Sequence, residues 1–95
     1  DYIKLIQLIV NNGEWQGTRL LKTETLDLMR TNQLPEGVVV NFPMWDMPGT
    51  TFGLGFALKE QPGEGEPEGA IGEYHWGGMA GTHSWMSPGT GITAM

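Results

Sequence analysis

Two serines, two histidines, a glycine-flanked tryptophan and an acidic run are the parts of this sequence that could carry chemistry. Ser84 and Ser87 are the only hydroxyl-bearing serines, hence the only serine nucleophile candidates. Neither sits in Gly-x-Ser-x-Gly and neither is followed three residues later by Lys, so neither carries the local signature of an activated serine. No Tyr-x-Asn occurs, since Lys4 and Trp76 stand two places after the two tyrosines. His75 and His83 lie eight apart across an expected strand turn, and with Glu73 they could begin a zinc set, which needs three or four ligands. The plainer reading, that both are ordinary strand histidines, is preferred, and no metal site is expected. Gly53-x-Gly55 and Gly77-Gly78-x-x-Gly81 look like phosphate loops only superficially, because neither leads into a helix or carries a lysine. Glu60, Glu64, Glu66, Glu68 and Glu73 gather five of the eleven acids around one stretch. Their spacing matches no calcium loop, and a solvated loop tip is the expectation. Trp76 and Trp85 flank glycines, where a ring can wall a small-molecule pocket or simply pack.

These residues need elements to hold them. Apolar residues at 2, 3, 5, 6, 8, 9 and 10 predict a first helix buried on most of its circumference, capped by Asp1 and stopped at Asn11-Asn12-Gly13. Such a helix calls for a cover from elsewhere. A hairpin-like piece over 14–21 turns at Gly17, and Thr23 opens a second helix to about Thr31, with Lys22 or Thr23 as its cap. Residues 34–51 read as an irregular segment anchored by Val38, Val39, Val40, Phe42 and Trp45. The alternation of Phe52, Leu54, Phe56 and Leu58 with Gly53, Gly55 and Ala57 predicts one strand over 51–59 with a bulky and a small face. The acidic loop spans 61–69, strands follow at 70–79 and 82–87, and a third begins at 91 after the turn Ser87-Pro88-Gly89-Thr90-Gly91. The expected architecture is α+β, one partial domain over 1–95, with a helical part at 1–33 and sheet strands at 51–95.

With 95 residues and a net charge of −6, the chain is one domain at most and has no basic face for nucleic acid or anionic membrane. There is no cysteine, so no disulfide framework or thiolate metal site. The stretch Ile3 to Val10 is far short of the ~20 apolar residues that a membrane span needs. The sequence opens at Asp1 and its first methionine is Met29, as expected of a piece of something longer.

The run Tyr74-His75-Trp76-Gly77-Gly78-Met79-Ala80-Gly81-Thr82-His83-Ser84-Trp85-Met86-Ser87-Pro88 resembles the C-terminal region of class C β-lactamase-like serine hydrolases. That group includes penicillin-recognising D,D-peptidases and family VIII carboxylesterases. In it a Lys/His-Thr/Ser-Gly box, often Trp-Gly-Gly in the esterases, edges the active site, and a Gly-Thr-x-x-Trp/Phe-x-x-Pro strand follows. The Asp1-Tyr2 helix with Asn12-Gly13, the segment from Leu20-Leu21 to Met29, and Phe52-Gly53-Leu54-Gly55-Phe56 are similar to three further family blocks in the same order. The resemblance implies the C-terminal part of a β-lactamase/transpeptidase-like fold, with the Ser-x-x-Lys and Tyr-x-Asn boxes upstream of Asp1. It implies acyl transfer through a serine ester, without a cofactor, in a bacterial cytoplasm or periplasm. It assigns the Met79 backbone N–H as one oxyanion donor, and Trp76, Gly77 and Gly78 as the substrate-binding box. Trp76 stands where β-lactamases place a cation for the substrate carboxylate, so neutral esters are favoured over β-lactams. Without its upstream boxes the chain is expected to be inactive. The competing expectation is a non-catalytic acidic module that forms a homodimer or complements another chain.

Overall fold

The computed structural model describes residues 1–95. Helix α1 (Tyr2–Val10) buries one face, Ile6, Leu8 and Ile9, and not most of its circumference as its apolar spacing predicts, because Tyr2, Ile3, Leu5 and Val10 keep much of their surface in solvent. Asp1 precedes the helix as expected, but its carboxylate pairs with Lys4 at 3.1 Å and caps no N–H. The helix stops where Asn12 and Gly13 take positive φ, and Gly13 N–H donates to the Leu8 carbonyl at 2.8 Å. Gly13 is also required by space, because a Cβ there would collide with the Leu21 carbonyl.

Strands β1 (Glu14–Trp15) and β2 (Thr18–Arg19) form a two-residue hairpin. Its central residues Gln16 and Gly17 both have positive φ, the twist-matched turn for such a loop. Glu14 and Arg19 are register partners and pair at 2.9 Å. Helix α2 (Thr23–Met29) starts with an extended Lys22 at its N-cap and buries Leu26 completely.

The remaining strands build one five-stranded antiparallel meander. They are β3 (Thr50–Phe52), β4 (Ala57–Lys59), β5 (Tyr74–Gly77), β6 (His83–Ser87) and β7 (Ile92–Ala94). The single strand expected over 51–59 is instead a hairpin, β3 against β4, with Phe52 opposite Ala57. Gly53 and Gly55 do not make a small sheet face. Gly53 sits where a Cβ would meet the Met29 carbonyl, and Gly55 takes φ +86 in the turn. Leu54 is therefore thrown outward and donates its N–H to Met29 at 3.1 Å. The strand expected over 70–79 is also shorter. A 3₁₀ turn at Glu68–Ala70 and a left-handed Gly72 delay its start, and it ends at Gly77.

The structure is thus an α+β arrangement with the helices first and the sheet last. Ile6 and Ile9 of α1 and Leu26 of α2 close on Phe56, Leu58, Tyr74 and Met86. The last three sit at paired register positions across β4, β5 and β6, so they share one face of the sheet. The opposite face carries His75 and His83. No helix is long and apolar enough to cross a membrane.

Candidate functional site

The site is the end of the β5–β6 hairpin. Register pairs His75 with Trp85, Trp76 with Ser84, and Gly77 with His83. Beyond Gly77 the chain reverses in a tight turn. Gly78 N–H donates to the Thr82 carbonyl at 2.9 Å, and Gly81 N–H donates to the Gly78 carbonyl at 3.0 Å. Gly81 at φ +83 completes a three-residue hairpin loop closed by a left-handed residue. Met79 is the first central residue of that turn, not a strand residue as expected from sequence. Its N–H meets no backbone acceptor and its side chain is 91% exposed.

The two glycines are fixed by the hairpin itself. A Cβ on Gly77 would lie 2.7 Å from the Thr82 carbonyl oxygen, and one on Gly78 would lie 2.7 Å from the Thr82 hydroxyl. The first clash is with backbone and the second with a rotatable group. Gly77→Ala is therefore expected to destabilise the chain by about 1–3 kcal/mol, and Gly78→Ala by less. Urea denaturation of both variants checks this, and equal midpoints would contradict it.

Two clefts open on this strand end. One of about 440 Å³ is lined by Trp45, Lys59, Glu66, His75, His83 and the Gly77-Gly78 backbone, among others. The other, about 580 Å³, is bounded by Tyr2, Ser84 and Met95 and shares Trp76, Gly77, Gly78 and Thr82 with the first. The structure therefore brings Trp76, Gly77 and Gly78 together in both clefts, whereas Met79 stands beside them at the turn, outside either lining.

Trp76 is held edge-on against Phe52, with ring centres 5.0 Å apart, and against Phe42 at 5.7 Å. Phe42 in turn stacks on Trp45 at 5.2 Å, and these two are joined by an isolated β-bridge. So the irregular segment before β3 forms an aromatic flap over the box. Trp45, at 49% exposure, presents the freer ring to the cleft. The sequence marks Phe42 and Trp45 as anchors but gives no sign that Phe42 reaches Trp76, because that contact spans more than thirty positions of chain.

Neither serine has an activating partner. The Ser84 hydroxyl donates to the Trp76 carbonyl at 3.2 Å, and the Ser87 hydroxyl is buried without a partner. A nucleophile needs an adjacent base, which neither shows.

The cleft's charged rim is built by Lys59. Its ammonium pairs with Glu66 at 2.6 Å and donates to the Pro48 carbonyl at 3.1 Å, while Gly63 N–H donates to the same Glu66 oxygen at 2.6 Å. This ties the acidic loop back onto β4. The Lys59 and Gly63 hydrogen bonds hold the Glu66 carboxyl below its ordinary value of 4.5. A depressed carboxylate strengthens the fold above the ordinary range and loses that contribution as pH falls through the lowered value. The loop is thus expected to come loose only in acid more extreme than the ordinary carboxylate range. The Gly63 amide shift, followed by NMR in wild type and Glu66→Gln, tests this; a transition that survives in the variant would contradict it. Burial, then the neighbouring His83, pushes the His75 imidazole below its ordinary value.

No known family profile matches the chain. It is 29% identical over 89 residues to Uncharacterized protein MT1414 of Mycobacterium tuberculosis strain CDC 1551 / Oshkosh. Its identity to Protein Rv1367c of Mycobacterium tuberculosis strain ATCC 25618 / H37Rv is likewise 29% over 89 residues. The similarity covers 86% of this chain but only 22% of each relative, so the chain spans about a fifth of the length of the curated relatives it matches.

Proposed function

We propose that residues 1–95 are the C-terminal part of a β-lactamase-like serine hydrolase that cleaves neutral esters through an acyl-enzyme. The observation that carries this reading is the Met79 N–H, which has no backbone acceptor and stands at an exposed turn directly after Gly77 and Gly78. In the proposed reaction a serine outside these residues attacks the ester carbonyl, and the oxygen takes the developing negative charge. A preorganised backbone N–H aimed at that oxygen stabilises the transition state, typically by about 2.7–4 kcal/mol. The alcohol leaves with a proton, and water then hydrolyses the acyl-serine. Gly77 and Gly78 add no side chain of their own to the strand end, and the aromatic group around Trp76 and Trp45 supplies uncharged surface for an uncharged substrate. Curated relatives several times longer than the match support a larger whole.

The apolar positions that α1 leaves exposed support a cover from additional chain, or from a second copy in the non-catalytic alternative. Fluorophosphonate labelling followed by mass spectrometry separates these. The 95-residue chain alone is expected to form no adduct, and the longer polypeptide to be labelled at a serine outside residues 1–95. An adduct on Ser84 or Ser87, or none on the longer polypeptide, would overturn the proposal.

A further inference from the structure

We propose that His75 and His83 form a two-histidine site for a borderline divalent metal ion, Zn²⁺, Ni²⁺ or Cu²⁺, in the 440 Å³ cleft. This stands apart from the hydrolase reading and would survive its failure. The register that sets Gly77 opposite His83 puts His75 and His83 on the same sheet face as diagonal neighbours. Gly77 lies between them without a side chain, and the rings meet with centres 5.2 Å apart and planes tilted by 39°. Two imidazole nitrogens about 2.0–2.1 Å from one tetrahedral Zn²⁺ put their ring centres roughly 5 Å apart. The ring-to-ring spacing therefore matches that of two imidazoles on one shared metal.

Lys59, which lines the same cleft, is paired with Glu66 at 2.6 Å, and this offsets its charge. His83 is exposed at the rim, so the ion can enter from solvent. No third His, Cys, Asp or Glu completes a cluster, which leaves the remaining coordination positions to water. Such a site takes imidazole-seeking metals and rejects Mg²⁺ and Ca²⁺, which demand several oxygen ligands.

The test is calorimetric titration of the full chain with ZnCl₂ and, in parallel, MgCl₂, with histidine ring resonances followed by NMR. The expected result is one Zn²⁺ per chain, no Mg²⁺ binding, and Zn²⁺-dependent shifts of both the His75 and the His83 ring resonances. His83→Gln and His75→Gln are each expected to weaken Zn²⁺ binding at least ten-fold. His83 is exposed, so His83→Gln should unfold at the wild-type temperature without metal. It alone decides the question if His75→Gln fails to fold. Absence of Zn²⁺ binding by the wild type, or unchanged affinity in folded His83→Gln, would overturn the proposal.

Discussion

In the longer enzyme to which residues 1–95 are proposed to belong, Trp76→Lys shifts preference from neutral esters toward carboxylate-bearing β-lactams by about ten- to a hundred-fold. A desolvated ammonium opposite a substrate carboxylate forms a charge-assisted hydrogen bond, worth roughly 1.5–3 kcal/mol. At about 1.4 kcal/mol per decade this gives the stated range. The indole it replaces carries no charge and one donor. The structure adds a second consequence. Trp76 is wedged edge-on between Phe42 and Phe52, so Lys also removes two aromatic contacts and loosens the flap carrying Trp45. Each such contact is worth about 0.5–1.5 kcal/mol beyond simple burial. The variant should therefore be less stable and should lose ester turnover as well as gain β-lactam turnover. Comparing kcat/KM for a short p-nitrophenyl ester and a cephalosporin, with the unfolding midpoint as control, tests both. A ratio that moves less than about two-fold in a folded variant would leave Trp76 as packing alone.

Much of the scaffold was legible because its signals are local. Helix α1 follows from its apolar spacing and the Asn11-Asn12-Gly13 stop, and β7 from the turn that begins at Ser87. The reading of 51–59 failed because large–small alternation has two causes that sequence does not separate. A glycine can make a flat sheet face, or it can admit a close backbone approach. Gly53 does the second, and the carbonyl it admits belongs to Met29, more than twenty positions away. The strand expected to reach Met79 stops at Gly77 for a related reason. Gly81's left-handed conformation sets where the hairpin reverses, and glycine identity alone does not fix which glycine takes it. At the candidate site the motif singles out Trp76, Gly77 and Gly78, and the structure sets all three in the lining of both clefts. The Phe42–Trp45 flap, the Lys59–Glu66 pair and the meeting of His75 with His83 were not legible, since each depends on side chains brought together by tertiary packing.

On the proposed hydrolase reading, residue 79 contributes a backbone N–H, and no side chain, to catalysis. The turn offers a direct way to remove it. Met79 is the first central residue of a tight turn, a position where proline's fixed φ is well accommodated, and its N–H supports no backbone hydrogen bond that the fold would lose. The decisive measurement is kcat/KM for a short-chain ester in the longer enzyme carrying Met79→Pro, set beside Met79→Ala. Met79→Pro is predicted to lower it by about 10²–10³-fold, the usual loss for one oxyanion donor, while Met79→Ala stays within a few-fold of wild type. Full activity in a folded Met79→Pro enzyme, or an equal loss in Met79→Ala, would contradict the assignment.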